Sequence, residues 1–194
     1  MNLLKKHSNN QFEAGCDEVG RGCLCGPVVA AAVILKPNFK QNSVKDSKLL
    51  TFKRRLDLDS YIKENCLSFA IAEISPEIID QQNILNATIS AMHKALDHLT
   101  TQPEFIIIDG NKFRAFKEIP FECIIKGDGK YLSIAAASIL AKNYRDQLMI
   151  NLHDEFPEYG WNKNMGYATK FHREALMKFG PTIHHRKSFR LVYG

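Results

Sequence analysis

Nine consecutive residues, Pro27-Val28-Val29-Ala30-Ala31-Ala32-Val33-Ile34-Leu35, include no polar side chain. Successive side chains of a strand point to opposite faces, so a half-exposed strand shows a polar residue at every second position. This run shows none, and its valines and isoleucine favour extended backbone. It predicts a strand buried on both faces, which calls for a covering layer on each side of a sheet. A chain of 194 residues, 45% hydrophobic and 24% charged, can build such a core within one body.

The segments around it fill in the sheet. Phe12 to Asp17 reads as a strand, joined to the apolar run by a Gly-rich connection that predicts antiparallel pairing. A polar helix around Thr51 to Glu64 precedes a third strand, Cys66 to Ile74, ended by Ser75-Pro76. These strands form a meander. Asn83 to Leu99 has helical periodicity, Glu104 to Asp109 and Phe121 to Ile125 are short strands, and Tyr131 to Glu155 is a long helix stopped by Pro157. A further helix is expected around Thr169 to Lys178. The pattern is α/β: a mixed sheet flanked by helices. A body over 1–159 with a basic helical elaboration over 160–194 is expected. Seven of the chain's 26 Lys and Arg residues, against one acid, lie after Tyr159, although the net charge of the whole chain is only +5. Such clustering fits a polyanionic partner.

Within Gly15-Cys16-Asp17-Glu18-Val19-Gly20-Arg21-Gly22, two adjacent carboxylates meet a Gly-Arg-Gly turn. Paired carboxylates suit a hard divalent cation, and a glycine turn with a guanidinium suits a phosphodiester. Neighbouring side chains on a flat strand point apart, so Asp17 and Glu18 share a site only if the strand breaks or twists there. Asp109, at the end of its strand, meets Asp17 if those two strands are parallel neighbours. On the long helix, Ser138, Lys142 and Asp146 share a face at i, i+4 and i+8. Asp146 is a fourth candidate ligand, or else a helix-surface acid paired with Lys142 or Arg145. Lys48 could neutralise a phosphate, Tyr167 could stack on a sugar, and His184-His185-Arg186 could bind phosphate or act as an acid. Metal-dependent phosphoryl chemistry is the reading these residues favour.

Other classes find little support. No Walker A loop, dinucleotide fingerprint or zincin His pair is present. No apolar stretch is long enough to cross a bilayer, and the start of the chain lacks a secretory apolar core. Five cysteines without framework spacing suggest reduced thiols and a cytoplasmic protein.

The chain resembles the type 2 ribonucleases H, in particular bacterial ribonuclease HII. The resemblance rests on Gly15 to Gly22 with Gly26 to Ala32; Asp46-Ser47-Lys48; Asn83 to Thr88; Ile108-Asp109-Gly110; Lys126-Gly127-Asp128 with Ile134 to Asp146; and Gly166-Tyr167-Ala168-Thr169 with His172 and His185 to Phe189. It implies a ribonuclease H-like fold with a five-stranded mixed sheet. It also implies hydrolysis of RNA in RNA/DNA hybrids and incision at single ribonucleotides in duplex DNA. Asp17, Glu18, Asp109 and Asp146 match the metal-binding catalytic acids, which take Mn²⁺ or Mg²⁺. Gly20, Arg21 and Gly22 match the turn that reads the 2′-hydroxyl, Lys48 a phosphate contact, and Tyr167 the tyrosine that stacks on the sugar after the junction. A monomer is expected, and with no clamp-binding tail evident up to Gly194, sliding-clamp association is not. Two alternatives are a ribonuclease HIII, which normally carries an extra N-terminal platform, and a silent hybrid-binding module, which is expected to have lost acids.

Overall fold

The structure, a computed structural model, describes residues 3–40, 44 and 51–191. Five strands, β1 (Glu13–Val19), β2 (Val28–Leu35), β3 (Cys66–Ile74), β4 (Phe105–Asp109) and β5 (Phe121–Ile124), form one sheet in the order β3-β2-β1-β4-β5. β1, β2 and β3 are the expected antiparallel meander; β4 runs parallel to β1, and β5 parallel to β4. The apolar run lies where its composition demands. β2 has a strand on each side, and Val28 to Ile34 are all buried.

Alternation along the strands sorts the core into two layers. Ala14, Cys16, Val28, Ala30, Ala32 and Ile34 pack with Ala87, Ala91 and Met92 of α3 (Ile84–Asp97). Val29, Ala31 and Val33 pack on the other face with Leu58 and Ile62 of α1 (Phe52–Asn65) and with the Ala-rich start of α4 (Leu132–Glu155). Every residue of α4 from Leu132 to Ala141 is buried. Its small side chains let it sit directly on β1, where Gly15 leaves room: a Cβ there would overlap the backbone of Ser133 and Ile134.

Two elements escape the sequence pattern. α2 (Pro76–Gln82) starts where Ser75-Pro76 ends β3; the Ser75 hydroxyl caps it by accepting from the Ile78 N–H at 3.4 Å. α5 (Trp161–Asn164) is a single turn, too short to show a period.

The C-terminal segment folds around Trp161. Leu24, Cys25, Met149, Tyr159, Ala175 and Leu176 surround it, the last two on α6 (Lys170–Phe179). Main-chain bonds lace three stretches together: Leu24 N–H to Gly166 O at 2.8 Å, Gly26 N–H to His184 O at 2.9 Å, and Arg186 N–H to Leu24 O at 2.9 Å. Of the His184-His185-Arg186 candidates for binding phosphate or acting as an acid, His184 is half-buried and His185 and Arg186 are buried, so the last two do not offer their side chains to a phosphate. Burial and the neighbouring His172 and His184 push the His185 pKa down to about 4. It is neutral at physiological pH.

Candidate active site

Cys16 pairs with Ile108, so the residues that follow, Asp17 and Asp109, emerge side by side from parallel strands. Gly15 and Asp17 face α4, where Ser138 hydrogen-bonds Asp17. Glu18 starts from the opposite face. Of the two conditions, a break is not met: β1 stays paired with β2 through Val19, with Asp17 opposite Ala31 and Glu18 opposite Ala30. What the pairing does show is an edge both acids can share. Pairing to β4 ends at Cys16, and the edge of β1 beyond it is open. Side chains from both faces turn around that edge into a cavity of about 400 Å³, lined by Asp17, Glu18, Val19, Arg55, Asp109, Ser138, Lys142 and Tyr167. A larger, mostly apolar cleft of about 540 Å³, lined among others by Pro157, Gly160 and Phe171, has no acid in its lining.

The cavity concentrates negative charge. Asp17 is 4% exposed, and burial, followed by the Glu18 charge, raises its carboxyl well above the ordinary aspartate range. Glu18 is also raised, first by burial, with Arg21 pulling the other way through an ion pair at 3.1 Å. Asp109 accepts from the Gly127 N–H at 2.6 Å, which fixes its rotamer at the mouth of β4.

Asp146 stands one layer deeper. It does pair with Lys142, as a surface acid would, at 2.5 Å, but it is buried and also accepts from Arg55 at 2.7 Å. Arg55 further donates to Asn143 at 2.9 Å, whose amide returns a bond to the Arg55 carbonyl. Arg145, the other expected partner, donates to main-chain carbonyls instead. Arg55 was not among the candidates. Its signal was its register: it shares a face of α1 with Leu58 and Ile62, at i+3 and i+7, where a solvated arginine does not belong. Replacing Arg55 with Met should lower the unfolding free energy by about 2 kcal/mol, because it strips a charged donor from a buried carboxylate. Urea denaturation measures this, and a change below about 0.5 kcal/mol would show the bond to be incidental.

The turn after Glu18 places Gly20 at φ +90° and Arg21 in solvent. Tyr167 lines the same cavity, 44% exposed. Its hydroxyl lies against the Cys23 thiol; burial first, and Cys23 second, raise its pKa. Lys48 lies outside the described residues. The carboxylates of Asp17, Glu18 and Asp109 suit a hard cation, and their mutual repulsion in a buried site is what a cation relieves. Among the described residues no group of three or more such ligands is already arranged to hold a metal ion.

A β3-β2-β1-β4-β5 sheet backed on both faces by helices, with acids at the open edge of the central strand, is the ribonuclease H-like architecture, and its acidic cavity is of the kind a metal-dependent hydrolase uses. The family model of ribonuclease HII matches residues 14–192, and the chain belongs to that family. It is 56% identical to the ribonuclease HII of Christiangramia forsetii over 190 residues, covering 98% of this chain and 96% of that one. Among solved structures, ribonuclease H2 of Pyrococcus horikoshii superposes with a TM-score of 0.80 at 25% identity, over 93% of this chain and 95% of that one. The ribonuclease HII of Archaeoglobus fulgidus, solved in complex with PCNA, gives a TM-score of 0.75 at 27% identity, over 91% and 94%. The chain is a ribonuclease H, an endoribonuclease acting on the RNA of RNA/DNA hybrids.

Proposed function

We propose that this enzyme also incises duplex DNA at single embedded ribonucleotides, and that it cuts in both settings with two divalent cations, Mn²⁺ or Mg²⁺, held by Asp17, Glu18, Asp109 and Asp146. The observation that carries the reading is the meeting of Asp17, Glu18, Asp109 and Tyr167 in one cavity. When bound, the cations supply an activated water and stabilise charge on the scissile phosphate and the departing 3′-oxygen. Water gives up a proton and its oxygen bonds to phosphorus, the bond to the 3′-oxygen breaks, and that oxygen takes up a proton, so one water is consumed overall. The ends are 5′-phosphate and 3′-hydroxyl.

The chain's own residues position the strand. Arg21 is the counter-ion of Glu18 here; engaging a phosphate with Arg21 frees Glu18 for a cation. Lys142 bridges the cavity and Asp146, so it can balance a phosphate while orienting that acid. The backbone of Gly20 to Gly22 approaches the ribose, whose 2′-hydroxyl distinguishes RNA from DNA, and Tyr167 stacks on the adjoining sugar. Residues 1–159 form the catalytic body, and 160–194 present Tyr167 to it. No described helix is long and apolar enough to cross a membrane. The enzyme acts as a monomer on duplexes in the cytoplasm.

The test is a DNA duplex carrying one ribonucleotide, offered with Mg²⁺ or Mn²⁺. Incision leaving a 5′-phosphate, abolished by chelation, is expected; failure of the wild-type protein under either metal would refute it.

A further inference from the structure

Two arginines lie wholly inside the protein: Arg145 on α4 and Arg186 near the C-terminus, neither with any exposed surface. Among the described residues neither forms a salt bridge, and their hydrogen bonds go to main-chain carbonyls. Arg145 donates from Nε to Pro27 O at 3.0 Å, from Nη2 to Cys25 O at 2.9 Å, and from Nη1 to Met165 O at 2.8 Å. Arg186 donates from Nε to Gly26 O and from Nη1 to Arg21 O, both at 3.0 Å. Its guanidinium lies 5.1 Å from the Phe189 ring centre, and its Nη2 is buried without a hydrogen-bond partner among the described residues.

A core built for stability alone does not need this pair. Desolvating two like charges side by side is costly, and well-packed apolar residues fill such space at least as well. The strain shows at Arg186, whose pKa is pushed down to about 10, by burial first and then by Arg145. A planar guanidinium does offer several donors at fixed angles, which an apolar side chain cannot. The carbonyls it fixes here belong to two stretches only, 21–27 and 165. One follows from the Gly20–Gly22 turn, and the other directly precedes Gly166 and Tyr167.

Glycines mark how tightly the parts fit. A Cβ on Gly20 would overlap the Arg145 side chain, and one on Gly166 would come 2.7 Å from Cys25 O and 3.4 Å from Arg145 Nη2. Arg145 is also the residue before Asp146, so one helical turn of α4 reaches both the recognition loops and a candidate catalytic acid.

We propose that Arg145 and Arg186 are positioning residues for ribonucleotide recognition: a two-guanidinium brace that sets the spacing of the Gly20–Gly22 turn and Tyr167 and ties both to α4. The proposal rests on the reading of those residues as the ribose contacts. Neither arginine touches substrate; each acts through the carbonyls it holds.

The experiment measures kcat and KM of the full chain on a duplex with a single ribonucleotide. The variants are Arg145→Lys, Arg186→Lys, Tyr167→Ala and the two doubles with Tyr167→Ala. Each lysine variant should lower kcat/KM about 10- to 100-fold, with a raised KM and an unchanged metal-concentration midpoint. Each double should be within about twofold of its worse single, because both changes disable one device. A fall in kcat at constant KM, the mark of a lost folded fraction, would overturn the brace, as would multiplicative doubles. Unchanged kinetics in Tyr167→Ala would overturn the ribose reading of Tyr167 itself. The lysine variants then decide the brace on the Gly20–Gly22 turn alone: a raised KM upholds it and an unchanged KM ends it. If a lysine variant melts below the assay temperature, Phe189→Leu withdraws the ring beneath Arg186 while leaving every donor. A raised KM there supports the brace; an unchanged one overturns it.

Discussion

Asp17→Asn is expected to cut cleavage about 1,000-fold while making the metal-free protein more stable. Both effects come from one carboxylate. It is buried, it faces Glu18 and Asp109, and its proton affinity is raised by burial and by those charges. At neutral pH the folded protein must hold this group in a site that resists its ionisation. Asparagine keeps the shape, and its side-chain oxygen can still accept the Glu18 N–H, which now reaches Asp17 at 2.7 Å. It removes the charge. Relief of such a functional strain is worth about 0.5–2 kcal/mol, or roughly 2–4 °C in Tm per kcal/mol for a chain of this size.

The sign with pH follows from linkage. The folded state holds the Asp17 proton more tightly than the unfolded chain, whose aspartates titrate near about 3.9. Stability from this group is therefore fully present below that value and is lost as pH rises through the raised folded pKa. Glu18 shifts in the same direction. The advantage of Asp17→Asn should vanish below about pH 4 and widen toward neutrality. Thermal melts across pH, without metal, read this directly. Adding Mn²⁺ should reverse the order, stabilising the wild type and leaving the variant nearly unmoved. A variant that cleaves like the wild type would remove Asp17 from the site.

The parts of this architecture that depend on local pattern were legible before any coordinates. β2 had to be buried on both faces, α3 followed from its period, and β3 and α4 were marked by their stops at Ser75-Pro76 and Pro157. The juxtaposition of Asp17 with Asp109 needed one further condition, parallel pairing of β1 and β4, which the structure meets. What stayed hidden depends on groups far apart in sequence. The open edge that Asp17 and Glu18 share could not be read from β1, because it depends on where β4 stops, some ninety residues later. The tail gave a misleading signal for the same reason. Arg186 counted toward a basic surface, yet its guanidinium donates to the Gly26 and Arg21 carbonyls, 160 and 165 residues away. Charge counting cannot see a buried arginine. Arg55 and α2 were readable in principle, from an apolar-face register and from a Ser-Pro helix start.

Gly15→Val should be the most damaging single change to the fold, costing about 3 kcal/mol or more. In the meander of β1, β2 and β3, most inward positions carry Ala, Val or Ile, but Gly15 meets the first turn of α4 at backbone distance. The Ser133 Oγ lies 2.5 Å from where a Cβ would sit, beside main-chain atoms of Ser133 and Ile134 that no rotamer change can move. Valine therefore has to displace α4 itself. That helix carries Ser138, Lys142 and Asp146, and its shift separates them from Asp17, Glu18 and Asp109 on the sheet. A displacement of about 1 Å suffices for a 100-fold loss of rate, so the variant should be nearly inactive even under conditions where it remains folded. Gly129→Ala is the control, since nothing lies within 4 Å of its added Cβ and its φ is not positive. Urea denaturation of the three proteins, with cleavage measured well below each midpoint, separates stability from geometry. A Gly15→Val protein as stable as Gly129→Ala would mean that α4 does not approach β1 so closely. A destabilised but fully active one would mean that the seating of α4 does not set the distance between Asp146 and the acids of β1 and β4.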